Sequence, residues 1–232
     1  MEFTFQDKKY SFPSSLNQIT LKQKIDFHNQ YGNDLVERFK ELYEYDDEGN
    51  IVGIIDETEK NILEMESACK NFSFFTGIPL EVVQKEMKFN QVANIYFSCV
   101  EQITNQEQEI GLNDHYVYEN EHWYVSSPFI SFDSEMTFGE IINAKQILKT
   151  FSDLGESNWS ALVQLATIFL RKKDEEFSES FLNPNSERLK LMENLPLDIA
   201  LGVGFFLQSS MIIWKKTTQF SSKNQEVVPD QT

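Results

Sequence analysis

One pattern occurs twice in this chain and restricts its fold more than any other feature. The first copy runs Phe3-Thr-Phe-Gln-Asp-Lys-Lys-Tyr-Ser-Phe-Pro13 and is followed by Ile19-Thr-Leu-Lys-Gln-Lys-Ile25. The second runs Tyr116-Val-Tyr-Glu-Asn-Glu-His-Trp-Tyr-Val-Ser-Ser-Pro128 and is followed by Met136-Thr-Phe-Gly-Glu-Ile-Ile142. Aromatic residues alternate with polar ones on either side of a polar turn, which is the period-2 signature of a hairpin with one buried face. Asp7-Lys8-Lys9 and Glu119-Asn120-Glu121 are the expected turns, and Pro13, lacking a ladder donor, ends the second strand. Each unit then reaches a threonine that opens an amphipathic helix. Thr20 with Gln23, and Thr137 with Glu140, have the spacing of a capping box.

Two hairpins leave four open edges, and pairing them removes exposed backbone donors. The expected class is therefore α+β, with two β-hairpins in a small sheet and six to seven packed helices. The chain has 232 residues, enough for a buried core. Its 20 phenylalanines carry no polar atom to satisfy, so most are assigned to that core.

The helical pattern continues between the units. Leu21, Ile25, Phe27 and Tyr31 form a stripe, interrupted at Gly32-Asn33, and Leu35, Val36, Phe39, Leu42 and Tyr43 resume it. Tyr45 to Gly53 reads as an acidic loop. A helix follows from Glu57 and closes at Gly77. Pro79 starts another, expected to reach about Ile103 with Val82, Val83, Met87, Val92, Ile95, Tyr96, Cys99 and Val100 inside. In the second half, Ile141, Ile142, Ile147, Leu148 and Phe151 form a stripe closed by Gly155. Trp159 to Lys173 is an apolar helix with Arg171-Lys172-Lys173 at its C-terminus, where cations are favoured. Ser186 to Asn194 is a short helix, and Pro196 starts a last one that ends near Lys216. The polar run Asn105 to Asn113 suggests the boundaries: residues 1–106 as hairpin plus helices, 107–216 as a second such unit sharing one core with the first, and 217–232 as a flexible tail.

Charge and cysteine content narrow the function classes. A net charge of −17 opposes direct nucleic-acid binding, which needs basic patches, and opposes anionic membrane surfaces. Leu197 to Trp214 is interrupted by Asp198 and Gln208-Ser209-Ser210, so it reads as a buried helix rather than a membrane span. Cys69 and Cys99 lie in apolar helical contexts and read as reduced, buried thiols. No signal peptide is expected from Met1-Glu-Phe-Thr-Phe5.

No pattern of catalytic chemistry stands out. There is no Gly-x-Ser-x-Gly elbow. Asp46-Asp47-Glu48-Gly49-Asn50 lacks the alternate ligands of a calcium loop. Gly202-Val-Gly204 lies inside an apolar helix, where small residues serve close packing rather than phosphate binding. His115 and His122 flank the second hairpin and His28 stands apart. Zinc would need further ligands, so the hairpin pair reads as surface histidines. Neither a catalytic residue, a metal nor a cofactor is expected.

The segments Phe-Thr-Phe-x-x-Lys-x-Tyr-x-Phe-Pro at 3–13, Ile-Thr-Leu-Lys-Gln at 19–23, Met-Thr-Phe-Gly-Glu-Ile-Ile at 136–142 and Leu-Pro-Leu-Asp-Ile-Ala-Leu at 195–201 carry a resemblance. Over residues 1 to about 216 the chain resembles virion or tail-assembly proteins of tailed bacteriophages of Bacteroidales, including crAss-like phages. The resemblance implies a non-enzymatic assembly or virion protein: a structural component, packaged cargo or tail-assembly chaperone. It would act through contacts with other phage structural or assembly proteins or as a homo-oligomer in a particle, in the host cytoplasm during assembly or in the virion. The alternatives are an acidic nucleic-acid mimic that inhibits a basic host protein, and an uncharacterised enzyme. The expected partner surfaces are the hairpin exteriors and the tail, where Phe220, Val227 and Val228 are the apolar anchors. The helix stripes are expected to be consumed by the core.

Overall fold

A computed structural model describes residues 1–111, 113–126, 136–154 and 159–205, with the side chains of residues 148 and 150–154 outside that description. The described chain divides into two compact units, Met1–Glu109 and the residues from Ile110 onward. The α+β class holds, with small antiparallel sheets among predominantly helical elements. The hairpins do not join, however. Each lies in its own sheet, and a further hairpin that the sequence pattern did not show forms a third.

In the first unit, β1 (Glu2–Phe5) pairs antiparallel with β2 (Lys8–Ser11), with Phe3 opposite Tyr10. The turn is Gln6-Asp7 rather than Asp7-Lys8-Lys9. Both turn residues have positive φ, 48° and 60°, whose twist matches that of the strands they join. Met1 and Phe12 close the open end, the Phe12 amide donating to the Met1 carbonyl at 2.8 Å.

Thr20 then caps α1 (Leu21–Phe27), and both bonds of its capping box form. The expected break at Gly32-Asn33 is instead a π-helical turn, His28–Gly32, leading directly into α2 (Asn33–Glu41). The His28 ring lies over Gly32 so closely that a Cβ there would collide with it. Glycine thus lets the helix widen without breaking.

The acidic segment after α2 is not a loop. β3 (Tyr43–Tyr45) and β4 (Ile51–Ile54) form a hairpin with a register shift at Glu44/Tyr45. Its turn is held by Asp46, whose carboxylate accepts from the amides of Glu48 and Asn50 and from the Asn50 side chain. Those bonds, led by the Asn50 side chain, hold Asp46 below the usual carboxylate range.

Asp56 caps α3 (Glu57–Thr76) through the amides of Thr58 and Glu59. Gly77, with φ of 73°, ends it in the left-handed conformation that glycine adopts without strain. The next helix is two, α4 (Leu80–Glu86) and α5 (Phe89–Glu109), because Met87 is extended. Pro79 is the residue before α4 rather than its first turn. α5 runs through most of the polar stretch read as a connection, which places the boundary at 109/110 rather than 106/107.

Two apolar clusters hold this unit. In one, the buried side chains of Phe12, Phe72, Ile78, Val83, Met87, Val92, Ile95 and Cys99 underlie the β1–β2 face, with Phe3, Phe5 and Tyr10 packed on them. Phe12 stacks on Phe72 at 5.5 Å and meets Phe75 edge-on at 5.9 Å. The other gathers Phe27, Leu35, Leu42 and Leu63. Charges tie α2 to α3: Arg38 reaches Glu66 at 2.8 Å and Asp34 reaches Lys70 at 3.0 Å, while Lys70 also pairs with Glu66 of its own helix at 2.8 Å.

In the second unit, β5 (His115–Tyr118) and β6 (Glu121–Val125) turn at Glu119-Asn120, again with positive φ at both residues. Thr137 and Glu140 form the expected capping box at the start of α6 (Phe138–Leu154). Among the described side chains of α6, Glu140 and Ala144 are buried and Ile142 is exposed. Leu148, Phe151 and Gly155 lie outside the described side chains or residues.

α7 (Trp159–Phe169) is buried almost throughout. It ends four residues earlier than expected, because Leu170–Arg171 form a short strand, β7, against Val125 and Tyr124. Arg171 is therefore no helix-end cation. It is buried and bonded to buried Glu140 at 2.9 Å, their side chains 9% and 5% exposed. Ser186 caps α8 (Glu187–Glu193).

Trp123 sits at the centre, 1% exposed. Its indole donates to the Tyr118 carbonyl, and the Arg188 guanidinium lies 4.3 Å over its ring. Residues 197–205 are helical. Gly202 there admits the Tyr116 hydroxyl where a Cβ would clash, and Gly204 approaches Leu162, so this Gly-x-Gly is a packing device. Burial, then Asp198 and Asp114, pushes the Tyr116 phenol up to about 12. Among the described residues no helix is long and apolar enough to cross a membrane.

Two stability outcomes follow from the charges. Glu140→Gln strands a buried guanidinium and is expected to cost about 3–5 kcal/mol in denaturant unfolding. Combining it with Arg171→Met should restore most of the loss, and a double variant as unstable as the single one would contradict the pairing. Glu66 is held below the ordinary glutamate value, chiefly by the Lys70 hydrogen bond, against burial and with help from Arg38. Its contribution is complete above the unfolded glutamate pKa, about 4.3, and is lost as pH falls through the lower folded value. Unfolding curves of Glu66→Gln and wild type should therefore differ at pH 7 and converge in acid.

Candidate functional site

The break between α4 and α5 creates a groove. Extended Met87 separates α4 from α5, and both helices pack on α3. Met65, Ala68 and Cys69 of α3 form one wall, Val83 and Gln84 of α4 with Met87 another, and Phe89, Val92, Ala93 and Phe97 of α5 the third. Val83, Met87 and Val92 are also members of the first core cluster, so the groove floor is the roof of the core. The cavity measures 120 Å³. Small-molecule sites span about 300–1,000 Å³, whereas this space suits one or two apolar side chains.

The rim is what marks it. Phe89 is 63% exposed and Phe97 is 49% exposed, and they lie eight residues apart on one face of α5, with Ala93 between them. Ile62 and Met65 are also exposed and continue the apolar surface along α3. Gln84 is the one polar residue in the lining. Met65 and Met87 add unbranched, polarizable side chains that adapt to different partners. An exposed apolar surface of this kind can receive the apolar side chains of another molecule. Cys69 does not alter that: burial, and then the Glu66 charge, pushes its thiol up, away from the nucleophilic thiolate. Cys99 is buried and shifted the same way by burial.

Elsewhere, a 340 Å³ depression in the second unit is lined by Tyr124, Ser126, Arg171, Lys172, Lys173, Asp174 and Glu175. Its charges are largely compensated: Arg171 by Glu140, Lys172 by Glu121 at 3.2 Å, and Glu175 by Arg188 at 3.1 Å. Among the described residues no group of three or more His, Cys, Asp or Glu is placed to hold a metal ion.

Of the residues marked in the sequence as partner-binding, Phe220, Val227 and Val228 lie outside the described residues. The hairpin exteriors do present apolar side chains: Val117 and Tyr124 on one, Tyr45, Ile51 and Val52 on another. The core takes up the stripe of residues 82–100 as expected, but Val36 and Ile142 of other stripes are exposed, and so are Phe89 and Phe97, which belong to no expected stripe. The signal was legible for Phe97, which falls off the α5 stripe of Val92, Ile95, Tyr96, Cys99 and Val100, since an apolar residue off the buried stripe of an amphipathic helix faces outward. Phe89 is in phase with Val92 and Tyr96, and its exposure at the first residue of α5 had no such signal.

No family model, curated protein or solved structure matches the chain.

Thiol chemistry checks the groove geometry. Cys69 should react slowly with iodoacetamide at neutral pH and faster as pH rises, while Cys99 reacts only on unfolding. Equal, rapid alkylation of both thiols at pH 7 would contradict the burial described.

Proposed function

We propose that this protein is a non-enzymatic interaction protein of phage assembly, present in the host cytoplasm during assembly or in the virion, and that it engages a partner through the α3–α5 groove. The groove supports the interaction half of this reading: an apolar, helix-walled trough with two exposed phenylalanines on its rim, sized for side chains rather than a metabolite. The sequence resemblance to virion and tail-assembly proteins of Bacteroidales phages supports the assembly half.

The occupant is an amphipathic helix of another phage assembly protein. Helix-walled apolar grooves take partners whose anchors recur at i, i+3, i+4 and i+7. Such an anchor would enter between Phe89 and Phe97. With a net charge of −17, the chain favours a helix with basic flanks, which would be steered in by the field and rejected if acidic. The tail residues Phe220, Val227 and Val228 are proposed as a second, weaker contact.

Mass spectrometry of purified particles distinguishes the roles. Copies in the particle mark a component or cargo, and absence with co-purification from assembly intermediates marks a chaperone. Absence from both would contradict an assembly role. For the groove, Phe89→Asp combined with Phe97→Asp should leave the melting temperature nearly unchanged, because both side chains are exposed, and should lower association with the assembly partner at least tenfold. Unchanged association would move the interface elsewhere.

A further inference from the structure

His115 and His122 were legible in the sequence only as two histidines of one hairpin. The register places them diagonally: His115 lies opposite Tyr124, and His122 lies opposite Val117. All four side chains share the outward face of β5–β6, while Tyr118 and Trp123 are buried on the other. The two imidazoles are nearly parallel, 12° apart with centroids at 5.0 Å, and Nε2 of His115 meets Nδ1 of His122 at 2.7 Å. The Tyr124 ring packs against His115 at 4.9 Å, bracketing it from the far side.

The geometry points to a two-histidine chelate for a late first-row divalent cation, Ni²⁺, Cu²⁺ or Zn²⁺, with water in the remaining coordination positions. Imidazole nitrogen is a good donor for these metals and a poor one for Mg²⁺ or Ca²⁺. Two nitrogens at bonds of about 2.0–2.1 Å stand about 2.9 Å apart when the angle at the metal is a right angle, and about 3.3 Å when it is tetrahedral. The observed separation is nearer the first, which favours the tetragonal metals Ni²⁺ and Cu²⁺. A small swing of each exposed ring turns the facing lone pairs onto a common point. In the neutral pair one ring donates its N–H to the other. On chelation that ring's proton moves to its outer nitrogen, so both inner nitrogens are free and no charge is left over.

The hairpin supplies the preorganisation a two-ligand site needs. β6 is held between β5 and β7 and pinned from below by Trp123, so the ligands start in place. The chain's net negative charge raises the local concentration of divalent cations.

The test is calorimetric titration of the full-length, metal-free protein under reducing conditions with Ni²⁺ and, separately, Zn²⁺, together with melting temperatures in each metal. One binding event per chain is expected, tighter for Ni²⁺, with a rise in melting temperature from preferential binding to the folded state. His115→Ala and His122→Ala should each weaken Ni²⁺ at least tenfold and remove that rise. Both rings are exposed, so the metal-free melting temperatures should match wild type. His28→Ala is expected to bind as wild type. Binding that survives both hairpin variants, that is lost with His28→Ala, or that is abolished by thiol alkylation would overturn the assignment, as would no heat and no thermal shift at millimolar Ni²⁺.

Discussion

A two-stranded hairpin cannot stand alone in water; one face must be covered by something apolar. Both units answer that need with helices, and most of the remaining architecture follows. In the first, Phe3, Phe5, Tyr10 and Phe12 settle on Phe72, so α3 must run beneath the hairpin and α5 beside it. In the second, the Trp123 ring is covered by Arg188 of α8 and by Lys172, and Leu170–Arg171 add a strand beside β6. The capped helices begin at Thr20 and Thr137 because the chain leaving each hairpin needs a defined start, and the threonine hydroxyl with Gln23 or Glu140 satisfies amides that would otherwise be orphaned. Glu140 serves twice, closing the capping box and neutralising buried Arg171.

Covering a hairpin also leaves an exposed apolar trough. α5 uses Val92, Ile95 and Cys99 to complete the core, which leaves its outer face free. The Met87 break separates α4 from α5, and a trough lined by both helices and α3 opens above the core with Phe89 and Phe97 on its edge. The trough shares Val83, Met87 and Val92 with the core. A floor already packed in the core, with Met65, Phe89 and Phe97 exposed at its edge, needs no ordering before an apolar partner is received.

Where local chemistry decides the backbone, the sequence was readable. Both outer hairpins, both capping boxes, the Gly77 stop and the packing role of Gly202 and Gly204 follow from residue type and spacing. The misses have identifiable physical causes. The β3–β4 hairpin was hidden because Asp46 and Asn50 make a turn from residues that also read as a solvated loop, and its strands are too short to show alternation. The π turn at His28–Gly32 keeps a helix going through a glycine that ordinarily signals an end. Leu170-Arg171 leaves the helical pattern because a strand neighbour and a buried carboxylate outweigh helix propensity. Sheet partnership between distant hairpins is a tertiary choice that no local pattern encodes. Of the candidate site, Phe97 was marked only by falling off the buried stripe, and Phe89, in phase with Val92 and Tyr96, was not marked.

We propose that the α3–α5 trough is the surface through which the protein meets a phage assembly partner. Site-specific photocrosslinking during infection tests it most directly, with benzoylphenylalanine placed at position 97 on the groove rim and, as the control, at position 117 on the outer face of the second hairpin. The account predicts that position 97 yields an adduct with a phage-encoded structural or assembly protein, mapped to an amphipathic helix of that protein, and that position 117 does not. An adduct with such a protein from position 117 and none from position 97 would contradict it.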